Sequence, residues 1–130
     1  MISSIRLDGS TACLAIEGAI DAEVFRSYVR DVLCPTLCPG DVVIMDNLAV
    51  HKDALSLALS SQSGAQALFL PAYSPDLNPI EMMWSKVKTL LRSAEARSLP
   101  DLVKAIRAAL GSITPQDAMN WFAHCGYSFI

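Results

Sequence analysis

Long apolar runs are missing from this 130-residue sequence. No stretch reaches the roughly eighteen consecutive apolar residues of a membrane-spanning helix, so no membrane partner is expected. The opening MISSIRLDGS lacks the basic-then-apolar order of a secretory signal, and a cytoplasmic protein is the expectation. Charge is also scarce, at 18% of residues against 52% hydrophobic, and the apolar residues come in short runs. That balance excludes a disordered chain and leaves room for one packed domain. A basic surplus is absent too: the net charge of −3 excludes binding nucleic acid through total charge alone. Neither a glycine-rich phosphate loop nor a nucleophile motif is present, which argues against a small-molecule α/β enzyme.

Four cysteines, Cys13, Cys34, Cys38 and Cys125, follow no regular disulfide spacing. They are expected to be reduced and to pack as small hydrophobes. Cys34 and Cys38 would need His51 or His124 to complete a zinc site. Their spacing includes Pro35 and no second ligand pair stands at a regular interval, so zinc is not expected.

What is present reads as a mixed α/β layer fold. Ile2–Leu7 and Thr11–Glu17 flank Asp8-Gly9, a dipeptide suited to the positive φ of a hairpin turn. Residues 21–33 carry Val24, Phe25, Tyr28, Val29, Val32 and Leu33 on a helical stripe, with Asp21 as N-cap and Cys34-Pro35 as the stop. Pro39-Gly40 leads into Val42–Met45, an unbroken apolar run that predicts a strand buried on both faces. A modest helix over 53–62 and a short strand over Ala67–Leu70 follow. After the proline-rich PAYSPDLNP loop, Asn78-Pro79 opens a helix to about Arg92, with Trp84 on its apolar stripe as a core residue. Two more helices are expected near 99–110 and 115–123, and no repeat or linker is visible.

Charge is unevenly distributed. Residues 81–110 hold six basic residues, Lys86, Lys88, Arg92, Arg97, Lys104 and Arg107, against three acidic ones, leaving −6 on the rest of the chain. Such a split suits either a solvated helix pair or a basic segment beside a site that meets a polyanion.

Two acidic residues attract attention. Asp46 ends the apolar run 42–45, where ligands gather in open α/β sheets, although an Asx turn or a cap would also explain it. Glu81 stands three positions after Asn78, as in a capping box. The segment Tyr73-Ser74-Pro75-Asp76-Leu77-Asn78-Pro79 is stiffer than a plain connection requires, and it would place a first-turn side chain accurately. Glu81, Lys88 and Arg92 share one side of the helix by its 3.6-residue period.

The strings VVIMDNLAVHK (42–52) and FLPAYSPDLNPIEMMWSKVK (69–88) resemble the signature of the mariner-type DDE transposase superfamily, in its bacterial insertion-sequence branch. Between Asp46 and Glu81 lie 34 residues, which is that group's spacing between its second and third acids. The resemblance extends from the Asp8-Gly9 hairpin through WFAHCGY. It implies a ribonuclease H-like mixed sheet flanked by helices. It further implies that Asp46 and Glu81 are catalytic, metal-binding carboxylates. The cofactor would be Mg²⁺ or Mn²⁺ in a two-metal site, cleaving insertion-sequence ends and joining them to target DNA. Hard cations prefer carboxylate oxygens, and two of them about 3.5–4 Å apart can assist both the attacking and the leaving oxygen. Asn47, His51, Tyr73 and Asn78 match motif positions as supporting residues. For His51, a hydrogen-bonded structural role is an equal reading. Lys86, Lys88 and Arg92 are the candidate DNA contacts.

The family's first strand and its Asp have no counterpart in residues 1–130, because Asp8 falls in a turn. The expectation is therefore a partial catalytic domain over 1–130, lacking the first strand and incomplete on its own. It would pair with an upstream transposase fragment or form a homo-oligomer. A non-catalytic remnant that associates with intact subunits is the alternative. A lost central strand would leave a sheet edge open to self-pairing.

Overall fold

The computed structural model describes residues 1–127. In chain order these form β1 (Ile2–Ile5), β2 (Thr11–Leu14), α1 (Ala22–Tyr28), β3 (Val42–Met45), α2 (Ala54–Gln62), β4 (Gln66–Phe69), α3 (Pro79–Ala94), α4 (Leu99–Gly111) and α5 (Pro115–His124). The chain divides into two compact units, one of Met1–Ser4 with Ala12–Pro75, the other of Ile5–Thr11 with the chain from Asp76 onward.

In the first unit the core is Phe25, Tyr28, Val29 and Leu33, and Ile2, Leu14, Val43, Met45 and Leu59 pack against it. The helix expected over 21–33 is present only as far as Tyr28. It continues as a π turn, Val29–Leu33, and a 3₁₀ turn, Cys34–Thr36, containing Pro35. The wider π turn carries Val29 and Leu33 into the same core as Tyr28. The Tyr28 hydroxyl donates to the carbonyl of Ala12 in β2 at 2.8 Å, and burial pushes the phenol pKa up to about 12.

β3 and β4 pair in parallel, with Val42 opposite Gln66 and Met45 opposite Phe69. Their register is set at the entry: Gly40 N–H donates to Gly64 O at 2.9 Å, and Gln66 N–H to Asp41 O at 2.8 Å. Gly64 lies at φ +80°, and a Cβ there would stand 2.8 Å from Pro39 Cα, so only glycine allows the two turns to meet.

Two expectations need correction. The run 42–45 is covered on one face only: Val43 and Met45 join the core, whereas Val42, and Leu68 opposite Ile44, are each 53% exposed. Nor do the strands form one mixed sheet. Among the described residues β1–β2 and β3–β4 are separate two-stranded sheets, because no further extended segment bridges them.

In the second unit, α3 contributes Met83 and Val87 and α4 contributes Ala109 to a core that also holds Ile113, with Trp84, Leu91 and Trp121 packed against it. Trp84 is thus a core residue, as its stripe position suggested. α5 begins with a capping box between Thr114 and Asp117. Lys86 of α3 donates to the Asp117 carboxylate and to Ser112 O, tying the helices together.

Met83 has no exposed surface, while Leu99 is 62% exposed. Met83→Ala should therefore destabilise the fold by about 2–5 kcal/mol. Leu99→Ala should change it by no more than about 0.5 kcal/mol. Denaturant unfolding measures both, and equal effects would contradict this placement of the core.

Candidate functional site

Asp46 follows the last residue of β3 and is half-buried. Alternation along the strand places its side chain opposite the face of Val43 and Met45, on the side of Val42 and Ile44. The chain then turns through Asn47, which is exposed, into a 3₁₀ turn, Ala49–Lys52. His51 in this turn comes back to the strand end: its Nδ1 lies 3.0 Å from Asp46 O, and its ring packs on Phe25 with centroids 4.9 Å apart. Asp46 and His51 are therefore brought together.

Asp53 ends the same turn. Its carboxylate accepts from Ser56 N–H at the start of α2 and from Arg26 of α1 through two guanidinium nitrogens, at 2.9 and 3.1 Å. The Arg26 guanidinium, followed by Ser56 N–H, holds this carboxyl well below the usual carboxylate range. Both oxygens are committed, which makes Asp53 a structural anchor rather than a ligand. Asp preceding an apolar helical run was readable as a cap, but its Arg26 partner, 27 positions away, was not. Lys52 beside it places its ammonium 5.7 Å from the centre of the Phe69 ring, another contact that spacing does not reveal.

Tyr73 adopts φ +57° and is fully exposed. A left-handed tyrosine costs on the order of 1–3 kcal/mol, a strain typical of functional loops.

In the second unit Asn78 is buried, and its side-chain oxygen accepts from Ile80 N–H, capping α3. Glu81 is the third residue of that helix and is exposed. The reciprocal half of a capping box is not formed at this helix. The Glu81 carboxylate has no hydrogen-bond or ion-pair partner among the described residues. Lys88 and Arg92 are exposed along the same side, whereas Lys86 is engaged by Asp117. Asp117 in turn is held below its ordinary pKa, first by Lys86 and then by Thr114 N–H.

The cysteines are all free, and among the described residues no three His, Cys, Asp or Glu side chains gather as a metal cage. Asp46 and Glu81 are carboxylates, the donor type that Mg²⁺ and Mn²⁺ take. Asp8 is tied into its own turn, accepting from Ser10 N–H and Oγ at 2.9 and 2.6 Å.

Residues 1–103 match the family described as DDE superfamily endonuclease, and the chain belongs to it. Among the described residues, five α-helices and two small sheets make a mixed α/β structure compatible with such a domain. Membership implies a transposase-like nuclease acting on DNA with divalent metal. No curated protein matches the chain. Among the described residues no helix is long and apolar enough to cross a membrane.

The depressed pKa of Asp53 has a definite pH consequence. Its stabilisation is fully present above the unfolded carboxyl value near 4 and is lost as pH falls through the lower folded value. Asp53→Asn should be less stable than the parent at pH 7, with the difference narrowing as the pH falls well below about 4. Denaturation midpoints at several pH values measure this, and a pH-independent difference would contradict the Arg26 pairing.

Proposed function

We propose that this chain is the part of a transposase catalytic domain, of the mariner type and the bacterial insertion-sequence branch, that carries the second and third acids of the DDE set. The supporting observation is the pair of carboxylates inside two long motifs of a DDE-family chain: Asp46 at the end of a parallel strand, and Glu81 on the first turn of a capped helix with its oxygens uncommitted. The domain so read covers 1–130 and is of ribonuclease H-like type, with its described strands in two small sheets in place of one mixed sheet.

In this reading Asp46 and Glu81 supply carboxylate oxygens to Mg²⁺ or Mn²⁺. A two-ion site, when loaded, supplies activation of water or a 3′-hydroxyl and stabilisation of the leaving oxygen. Lys88 and Arg92 meet DNA phosphates, while Lys86 holds α3 against the start of α5. Asn78 fixes the start of the helix that bears Glu81, His51 contacts Asp46, and Asn47 and Tyr73 are supporting residues that shape the site or touch the DNA backbone. Asp8 is not read as the first acid, since its Oδ1 closes the hairpin turn by accepting from Ser10 N–H and Oγ. In this reading the chain works with a partner, a second copy or another transposase fragment, and cleavage needs that partner.

The test is Mn²⁺ binding and salt-dependent DNA binding by the 130-residue chain. Asp46→Asn and Glu81→Gln should each abolish Mn²⁺ binding while leaving the melting temperature near that of the parent. Lys88→Gln and Arg92→Gln should each lower the logarithmic salt slope of DNA binding by about one. Lys86→Gln should leave that slope unchanged and reduce stability. Unchanged Mn²⁺ binding in both acid variants would overturn the assignment. Full-rate cleavage by the chain alone would overturn the need for a partner. Association with an intact relative, without metal binding in the parent chain, would favour a non-catalytic remnant.

A further inference from the structure

We propose that His51 is the positioning residue for Asp46: it grips the Asp46 main-chain carbonyl and so fixes how the carboxylate leaves the end of β3. The inference rests on Asp46 being a metal ligand.

The ladder geometry explains why a grip is needed at this point. Leu70 N–H donates to Met45 O at 2.8 Å, so Met45 directs its carbonyl towards β4. Carbonyls alternate along a strand, and that of Asp46 is turned to the opposite edge of β3. Among the described residues no strand pairs with β3 there. A main-chain acceptor at such an edge ordinarily takes a hydrogen bond from a neighbouring strand or from water. Here the imidazole fills that place, with Nδ1 at 3.0 Å from Asp46 O.

A carbonyl oxygen can only accept, so Nδ1 carries the hydrogen in either charge state of the ring. The neutral ring is therefore the Nδ1–H tautomer, with its lone pair on Nε2. The imidazole is itself held. One side packs on Phe25, a core residue, and the His51 main-chain N–H donates to Leu48 O at 3.1 Å. Two residues on, Asp53 is fastened to Arg26 and to the start of α2. The turn 46–53 thus runs from a paired strand to an anchored helix cap, with the His51–Asp46 bond closing it at the carboxylate-bearing end.

Holding the Asp46 carbonyl in place restricts φ as well as ψ at Asp46, and φ sets the direction in which the Cα–Cβ bond leaves the strand. A ligand must stand within roughly 0.5 Å of its working position, so a donor acting on the ligand's own backbone has leverage on metal affinity. Outer groups that orient ligands are typically worth about ten- to a hundredfold in affinity.

Three substitutions in the full chain separate this role from simple packing. His51→Asn places an amide N–H at the same bond distance from the backbone as Nδ1. His51→Gln moves that donor one bond further out, and His51→Phe keeps a ring on Phe25 without any donor. The readouts are Mn²⁺ affinity by electron paramagnetic resonance, melting temperature, and the imidazole tautomer of the metal-free parent by long-range ¹H–¹⁵N NMR. The parent should show the Nδ1–H tautomer. His51→Phe and His51→Gln should weaken Mn²⁺ binding about ten- to a hundredfold, with His51→Asn restoring most of it. An Nε2–H tautomer overturns the proposal, as does failure of His51→Asn to bind better than His51→Phe. If Asp46→Asn weakens binding and His51→Phe does not, only the positioning role falls. If Asp46→Asn binds Mn²⁺ like the parent, the metal reading of Asp46 falls and this proposal falls with it.

Discussion

Parallel strands cannot be joined by a tight turn, so the pairing of β3 with β4 requires a crossover, and α2 supplies it. Much of the first unit follows from that constraint. The crossover must leave β3 at Met45 and re-enter at Gln66, which places the 46–53 turn at one end and the Gly40–Gly64 contact at the other. One face of the pair is covered by the core around Phe25 and Tyr28, so alternation carries the Asp46 side chain to the other face. The carboxylate stands where it does because the strand ends there and because the turn beyond it is pinned by His51 and Asp53.

The second unit obeys a different rule. Its helices pack through Met83, Val87, Ala109 and Ile113, and the position of Glu81 is set by the start of α3. Pro79 supplies a preset φ at the first helical position, and Asn78 accepts from Ile80 N–H just behind it. With the cap made by Asn78, the glutamate is not consumed in holding the helix. The same helix separates its basic residues by role, since Lys86 is spent on Asp117 whereas Lys88 and Arg92 face solvent.

A good part of this was legible in the sequence. The strand 42–45, the helix opened by Asn78-Pro79 and the core position of Trp84 follow from apolar spacing and cap chemistry, which are local properties. The π turn after Tyr28 was not legible, because Val29 and Leu33 fit an α-helical stripe equally well. Coverage of β3 on a single face was also invisible, since an unbroken apolar run does not say how many layers cover it. Partners distant in sequence, Arg26 with Asp53 and Lys86 with Asp117, are consequences of packing that no spacing rule supplies. The proposal that Asp46 and Glu81 act as a pair rests on motif resemblance. Either residue taken alone had an adequate explanation as a turn or a cap.

The position of a bound divalent cation along the chain can be mapped directly. Fe²⁺ loaded in place of Mg²⁺, with ascorbate and peroxide, cuts the main chain beside its ligands. The fragments can be mapped by mass spectrometry. A cation held by Asp46 and Glu81 should give cuts adjacent to both residues, suppressed by excess Mg²⁺. Cuts confined to other segments, or cuts at these positions that Mg²⁺ does not suppress, would contradict metal binding by these two carboxylates.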